Sequence, residues 1–350
     1  MNLTYIIGNG FDLNLGFPTD YSHFYDYYCD IPSNTKNIES LKEDIKQYKD
    51  KDWADLEIGL GNYTSKVSTP DLFQDAYLDL NCQLSSYMTA VNELIKTNMS
   101  DSLKEKIVND LRFPESSLPN ELEDIINRYR RSIIRSSGNS LTVINVLSFN
   151  YTHTIEHLEL NKTIGYKDEY TTFKNGRLKH IHRAIGDNGV WLGVDNEIQI
   201  KNESFRNDRL IRQLLIKPYD IISSGSGLMN EAKTIIDSSD LICVFGSSMG
   251  ITDLTWWRMI GDRLYNSNCK MIYFTIDKKG FVTDHMMLYK QNTIRTDLTK
   301  RLSGLNARME TLDDPSKILV QINTGLFKDK DYSSEIEKNY KLVRKILENK

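Results

Sequence analysis

The 350-residue sequence has little cysteine and no long apolar run. Its four cysteines form no C-x-x-C pair, which argues against a disulfide framework and against a zinc site. They are Cys29, Cys82, Cys243 and Cys269. No apolar stretch approaches the length of a membrane span, and the N-terminus lacks a signal-peptide pattern. We therefore expect a cytoplasmic protein with no membrane partner.

An excess of charge of one sign is also absent. The formal net charge is -4, and acidic and basic residues alternate through most of the chain. No face is therefore expected to neutralise a polyphosphate backbone, and we expect no nucleic-acid partner. The length still leaves room for about two domains with a full core.

Short β-branched runs that end in glycine or in a small polar residue are the clearest positive feature. Buried parallel strands have this pattern, because both of their faces are covered and a turn follows. The four runs are Leu3–Ile7 before Gly8, Leu141–Phe149 before Asn150, Leu241–Phe245 before Gly246, and Met271–Ile276 before Asp277. They predict an α/β fold with a parallel sheet and helices on both faces.

The segments between these runs differ in pattern. Residues 38–137 carry apolar residues at helical spacing and are predicted to be a helical insertion after the first strand. Residues 163–197 contain strand-like pieces separated by Asn175-Gly176 and by a second glycine-rich turn. The pieces are Tyr170–Phe173, His180–Ala184 and Val190–Val194. The predicted division is a nucleotide-binding domain of residues 1–37 and 138–330, the insertion 38–137, and a C-terminal helix within 331–350.

Gly8-Asn9-Gly10-Phe11-Asp12 directly follows the first predicted strand. Glycines at this place let backbone N–H groups approach a diphosphate. The third glycine of the dinucleotide motif is absent, since Leu13 occupies its position, so ordinary dehydrogenase-type binding is not predicted. The alternative is a tight strand-to-helix turn that requires glycine.

Asn150, at the end of the second predicted strand, can both donate and accept hydrogen bonds, which suits a sugar hydroxyl or an attacking water. The alternative is an asparagine that caps its own turn. His180 and His182 lie on the same side of a strand-like piece, and one could act as a base near neutral pH. No cysteine or carboxylate at ligand spacing accompanies them, so no metal ion is expected.

The later strand ends offer further ligand groups. Gly246-Ser247-Ser248 presents backbone donors and hydroxyls to a phosphate or ribose. Asp277 stands where an acidic residue can bind an adenosine ribose, although a helix cap is the alternative. Because the carboxyl ends of parallel strands meet at one sheet edge, these groups predict a single site for a phosphate-bearing ligand.

Taken in order, these loops resemble the AbiH family of bacteriophage abortive-infection proteins, which belongs with sirtuin-like folds. The matching segments are Ile7–Leu13, Gly16–Thr19, Trp53–Glu57, Phe149–Thr152, His180–His182 and Phe245–Gly250 with Asp253. The resemblance implies a Rossmann-like (sirtuin-like) sheet and a phage-defence effector that binds NAD or a related nucleotide and hydrolyses its nicotinamide glycosidic bond. No metal is required, since nicotinamide leaves as a neutral base.

The resemblance also implies residue roles. Asn150 would be the catalytic asparagine and His182 the catalytic histidine. The predicted nucleotide-binding residues are Gly8, Asn9, Gly10, Phe11, Asp12, Pro18, Gly246, Ser247, Ser248 and Asp277. Thr152 stands where NAD-consuming relatives often carry Asp, and Arg183 where they usually carry Gly. Both changes touch the nicotinamide end of the pocket, so NAD could be bound without being cleaved quickly.

Two other functions stay open. One is a non-catalytic sensor that binds NAD, ADP-ribose or a signal nucleotide and passes a conformational change to a partner. The other is a metal-dependent nuclease that uses Asp12, Asp55 or Glu57. An unrestrained NAD hydrolase would poison its own cell, so a homo-oligomer or an activator protein is an expected partner beside the nucleotide.

Overall fold

The protein contains a six-stranded sheet in which all strands are parallel. The computed structural model describes residues 1–51, 53–160, 172–187, 189–277, 284–303, 314–328 and 330–349. The strands are β1 (Asn2–Ile7), β2 (Leu141–Ser148), β3 (Thr172–His180), β4 (Leu241–Phe245), β5 (Lys270–Thr275) and β6 (Ile318–Ile322). Their order across the sheet is β3-β2-β1-β4-β5-β6.

Helices cover both faces of this sheet. Seven precede β2: α1 (Gly10–Asn14), α2 (Tyr21–Asp30), α3 (Lys36–Tyr48), α4 (Leu56–Tyr63), α5 (Pro70–Asn98), α6 (Asp101–Arg112) and α7 (Asn120–Ser137). Among the described residues, six follow β3: α8 (Arg209–Leu215), α9 (Lys217–Ser223), α10 (Leu228–Ser238), α11 (Leu254–Tyr265), α12 (Asp284–Leu302) and α13 (Glu335–Glu348). Within the described residues, no helix combines the length and the apolar character needed to cross a membrane.

The core follows from strand alternation. Tyr5 and Ile7 of β1 point into a large cluster shared with α2 to α7 and with α13, while Ile6 points into a second cluster shared with α10, α11 and α12. Successive side chains of a strand face opposite sides, so each apolar strand contributes to both clusters. The prediction of a parallel α/β sheet with helices on both faces is confirmed.

The longest helix, α5, shows how the sequence specifies a local element. Pro70 occupies its first turn, and the hydroxyl of Thr69 accepts a hydrogen bond from the Leu72 N–H. Both features are typical of helix starts. Its buried residues recur every three or four positions, so one face packs on the body of the protein. They include Phe73, Tyr77, Leu80, Leu84, Tyr87, Val91 and Ile95.

The sequence predicted β1, β2, β4 and β5 but neither β3 nor β6. The Asn175-Gly176 pair, predicted to be a turn, lies inside β3 at a bulge in its pairing with β2. There the Asn145 side chain accepts a hydrogen bond of 3.0 Å from the Arg177 N–H. The predicted strand Val190–Val194 is wrong, because only Val194 makes an isolated bridge, to Ile216. Tyr170 lies outside the described residues.

The strand ends are level at one edge of the sheet. Ile7, the last residue of β1, pairs with Ser148 of β2 and with Phe245 of β4. Ser148 pairs in turn with His180, the last residue of β3. From β1 the chain adds strands toward one side of the sheet, and from β4 it adds them toward the other side, so the strand order reverses between β1 and β4. In open parallel sheets this reversal is where ligands bind, just beyond the carboxyl ends of the strands.

Candidate functional site

The two glycine loops pack directly against each other. The Gly8 N–H donates to the Phe245 carbonyl at 2.9 Å, and the Gly10 N–H donates to the Gly246 carbonyl at 2.7 Å. A Cβ on Gly246 would lie 2.3 Å from the Phe11 nitrogen, and Gly246 has a φ of +72°. The glycines therefore allow close approach of two backbones, and a phosphate could reach the Gly8 and Gly10 donors only if the loops separated.

The rest of the first loop is buried or bonded within the protein. The Phe11 ring packs against Phe327, with ring centroids 5.3 Å apart. Asn9 accepts a hydrogen bond from the Thr19 hydroxyl. The Pro18 carbonyl accepts one from the Tyr87 hydroxyl at 2.8 Å. These contacts fix the path of the chain between β1 and α2.

Asp12 is a buried carboxylate held by two hydroxyls. Thr152 donates to its Oδ2 at 2.6 Å, and Thr154 donates to its Oδ1 at 2.7 Å. Burial raises the pKa of Asp12 to about 6, although these hydrogen bonds oppose the shift. Thr152, which stands where relatives were expected to carry Asp, thus joins the loop after β2 to the loop after β1.

Asn150 has a buried amide without a hydrogen bond. Its side chain is 5% exposed. Among the described residues, neither its Oδ1 nor its Nδ2 makes a hydrogen bond of ordinary distance and angle, and a weaker hydrogen-bonding interaction with Asp12 lowers that carboxyl's pKa. A buried unpaired polar group costs about 1–3 kcal/mol, and a bound water or ligand that pairs with it removes that cost.

His182 is oriented by a carboxylate. Its Nε2 donates to Oδ1 of Asp253 at 2.8 Å. This leaves Nδ1 as the basic nitrogen of the neutral ring. The two residues that flank Asn150 pack against His182: the Phe149 ring lies 5.1 Å and the Tyr151 ring 6.2 Å from the His182 ring, centroid to centroid. The structure thus brings both predicted catalytic residues to the same edge of the sheet.

The His180/His182 pair does not act as one unit. The Nδ1 of His180 donates to the backbone carbonyl of Asn150 at 3.0 Å, and its Nε2 contacts Glu156. His182 instead contacts Asp253. The two imidazoles therefore belong to different clusters.

A buried lysine completes the surroundings of His182. Lys217 Nζ lies 3.0 Å from Oδ1 of Asp253 and 2.6 Å from Oε1 of Glu57. Lys217 is the residue that the sequence analysis missed. Its only signal is a single cation before Pro218, directly after the apolar run Leu214–Ile216.

We call Glu57, Lys217, Asp253 and His182 the buried charge network. Within it, neighbouring charges shift the pKa values of Glu57, Lys217 and Asp253. Burial lowers the pKa of Lys217, but Asp253 and Glu57 outweigh it and hold the pKa above its usual value. Burial also opposes ionisation of Asp253, yet His182 and Lys217 hold its pKa well below the usual range. Burial raises the pKa of Glu57 more than Lys217 lowers it.

The remaining predicted ligand residues lie on the β4 and β5 side. Ser247 accepts a hydrogen bond from the Met249 N–H at 3.0 Å through its Oγ, and Ser248 is exposed. Asp277 forms an ion pair with Lys290 of α12, and its N–H donates to Asn323 at 2.8 Å. Ser247 thus adjoins the glycine loops, whereas Asp277 is bound to the helix beyond β5.

The acids of the nuclease alternative have separate partners. Asp55 caps α4 by accepting from the Glu57 and Ile58 N–H groups. Glu57 pairs with Lys217, and Asp12 is bonded by threonines. In the part of the chain that the structure describes, these acids form no common metal-binding group. Trp53, the first residue of the family-like segment Trp53–Glu57, is buried, and its indole donates to Asp44 at 2.9 Å.

Two surface depressions lie away from these strand ends. One, of about 320 Å³, lies between α2 and α3. The other, of about 240 Å³, lies between α2, α5 and α13. None of the predicted site residues lines either depression.

The chain was compared with known proteins. A search of curated proteins found no match. The model of the family described as "Bacteriophage abortive infection AbiH" matches residues 4–275. The match runs from β1 to the end of β5 and includes Asn150, His182, Lys217 and Asp253. The chain therefore belongs to the AbiH family of bacteriophage abortive infection proteins.

Proposed function

We propose that this AbiH protein acts in abortive infection by binding NAD or a related nucleotide at the carboxyl edge of its sheet and hydrolysing the nicotinamide glycosidic bond. The strand order β3-β2-β1-β4-β5-β6 supports a Rossmann-like, sirtuin-like architecture, because it is the order of doubly wound dinucleotide-binding sheets. The reversal between β1 and β4 lies beside Gly8 and Gly246.

One observation carries the proposal. The Asn150 amide is buried at this edge, and within the described residues it makes no hydrogen bond of ordinary geometry, with only a weaker interaction toward Asp12. An amide can donate to one ribose or water oxygen while it accepts from another hydroxyl. A sugar hydroxyl and a water molecule would satisfy both groups that the folded chain leaves unpaired.

The chemistry assigns a role to each neighbour. The bond between the ribose C1′ and the nicotinamide nitrogen breaks as the ribose becomes oxocarbenium-like, and a water oxygen forms the new bond to C1′. Asn150 orients ribose and water, and Nδ1 of His182 accepts the proton of the water. Asp253 holds the His182 ring in the required tautomer.

The buried state of the site explains how such an activity would be restrained. Asn150 and His182 are both 5% exposed, and the Gly8 and Gly10 N–H groups are bonded to the opposite loop. Admission of a nucleotide therefore requires the two loops to separate. Assembly or an activator would supply that opening during infection.

The test measures nicotinamide release from NAD by purified protein, alone and with extract of phage-infected cells. We expect release by the wild type and at least about a hundredfold less by Asn150→Ala and His182→Gln, since a positioned base contributes about 10²–10⁴-fold. His182→Gln retains a donor for Asp253. The exposed Asn230→Ala is the matched control.

A sensor function is the second candidate, because a site closed by packed loops couples ligand entry to a conformational change. NAD or ADP-ribose would then raise the melting temperature of the wild type, but not of Asn150→Ala, without being consumed. If the protein neither consumes NAD nor is stabilised by NAD or ADP-ribose under any condition, the proposal that it binds a nucleotide is overturned.

A further inference from the structure

A second cluster of ionisable side chains lies beside the candidate site. The nearest ring and carboxylate atoms of His153, Glu156 and His180 all lie within 4.8 Å of one another. Oε1 of Glu156 is 3.1 Å from Nδ1 of His153 and 2.7 Å from Nε2 of His180. His153 and Glu156 share one turn after β2, and His180 ends β3.

The outer nitrogens of both rings are fixed by backbone carbonyls. Nε2 of His153 donates to the Ile185 carbonyl at 2.9 Å, and Nδ1 of His180 donates to the Asn150 carbonyl at 3.0 Å. In the neutral rings, the inner nitrogens therefore carry lone pairs that face the Glu156 carboxylate. Metal-binding histidines have this arrangement, in which the outer N–H is bonded and the inner nitrogen is free to ligate.

Without a metal ion, Glu156 can be held by hydrogen bonds that the protonated His153 and His180 rings donate to its carboxylate. A divalent ion would replace those protons, and with bonds of about 2.0–2.2 Å it would hold tetrahedral ligand atoms roughly 3.3–3.6 Å apart, so the three ligand atoms would have to adjust from their hydrogen-bonded separations. The turn that carries the ligands is itself anchored, because the His153 N–H donates to Asn92 of α5 at 2.9 Å.

We propose that His153, Glu156 and His180 bind one divalent transition-metal ion such as Zn²⁺. Two imidazoles and one carboxylate suit Zn²⁺, Co²⁺ or Fe²⁺ better than Mg²⁺ or Ca²⁺, which prefer oxygen ligands alone. Three protein ligands leave at least one coordination position for water, as in catalytic rather than structural sites. The side chains of His153 and Glu156 are 32% and 36% exposed, so water can reach the cluster.

The sequence predicted no metal because no carboxylate accompanies His180 and His182 at ligand spacing. The structure supplies Glu156, which lies 24 residues before His180 in the chain. His182 takes no part, since its Nε2 is bonded to Asp253. The Asn150 carbonyl, which accepts a hydrogen bond from His180, joins this cluster to the candidate nucleotide site.

The test uses the full chain after a chelator has removed any bound metal and has itself been removed. Zn²⁺ is titrated by calorimetry, and Co²⁺ is titrated by its visible absorption, both without nucleotide. We expect one ion per chain, with affinity at least about tenfold weaker in His153→Ala and in Glu156→Gln. His157→Ala is the matched control, because His157 is a neighbouring histidine bonded to Asn92 and not to the cluster.

Absence of saturable binding by the wild type would overturn the proposal. So would wild-type affinity in both ligand variants, which would place the ion elsewhere. Glu156→Gln keeps the size of a partly exposed side chain. If this variant loses metal binding while its circular dichroism spectrum shows an unchanged fold, the loss is due to the missing carboxylate ligand. Because no nucleotide is present, the result is independent of the proposed hydrolysis.

Discussion

Asp12 illustrates how a single buried carboxyl links the candidate site to stability. It is 1% exposed and is hydrogen-bonded to Thr152 and Thr154. Burial nevertheless raises its pKa from 3.8 to about 6. The folded state therefore holds this proton at pH values where the unfolded chain has released it, and the carboxyl lowers stability as pH rises from about 4 to about 6.

Asp12→Asn should flatten that dependence. The wild type is expected to lose on the order of 3 kcal/mol through Asp12 over this range, since each pKa unit corresponds to about 1.4 kcal/mol. The neutral amide removes the titration and keeps the shape of the side chain. Urea unfolding of both proteins between pH 4 and 7 measures the difference, and parallel curves would contradict the expectation.

Asn150 and His182 show what the sequence can predict of a site. Asn150 follows a predicted strand, and a parallel sheet places such residues at one edge. His182 was predicted within the strand-like piece His180–Ala184, but it lies two residues beyond the end of β3. Lys217 could not be found in this way, because its partners Glu57 and Asp253 are far from it in the chain. The convergence of Glu156 with His180 was missed for the same reason: it depends on how the turn after β2 lies against β3.

At the scale of elements, prediction succeeded where burial on both faces leaves a continuous apolar run. The runs of β1 and β4 are of this kind, and both strands have two neighbours in the sheet. β3 has only β2 as a neighbour, and its sequence Thr172–His180 is mostly polar. Its Asn-Gly pair forms a bulge stabilised by Asn145, a contact between strands that local pattern cannot reveal.

The glycine loops after β1 and β4 provide a test at this scale. Gly246→Ala should destabilise the protein by more than about 2 kcal/mol, because a left-handed alanine alone costs roughly 1–2 kcal/mol. The added Cβ would also lie 2.3 Å from the Phe11 nitrogen, and a backbone atom cannot move aside as a side chain can.

Gly225→Ala is the matched control for that variant. Gly225 has a φ of +63°, but a Cβ there would meet no atom within 4 Å. It therefore reports the conformational cost alone, and the excess loss in Gly246→Ala measures the close approach of the loops. Equal losses of unfolding free energy in the two variants, measured in urea, would show that the loops can separate at little cost.

Across the whole molecule, the buried charge network joins parts that are distant in sequence. Glu57 lies on α4, Lys217 begins α9, Asp253 precedes α11, and His182 follows β3. Lys217 and Glu57 have side chains only 2% and 7% exposed. The network therefore ties α4 to the sheet edge through Lys217 and Asp253, the residue that orients His182.

Lys217→Met should be among the most destabilising substitutions in the chain. It leaves Glu57 buried without its cation, and loss of one partner of a buried ion pair costs about 3–5 kcal/mol. Asp253 keeps its bond from His182, so the loss falls mainly on the contact with α4.

Lys233→Met is the control, because the Lys233–Asp237 pair is about half exposed and such pairs contribute less than about 1 kcal/mol. Adding Glu57→Gln to Lys217→Met removes the unpaired charge and should restore part of the unfolding free energy. If Lys217→Met costs no more than Lys233→Met, the network does not hold the two parts together, and His182 owes its position to packing against Phe149 and Tyr151 instead.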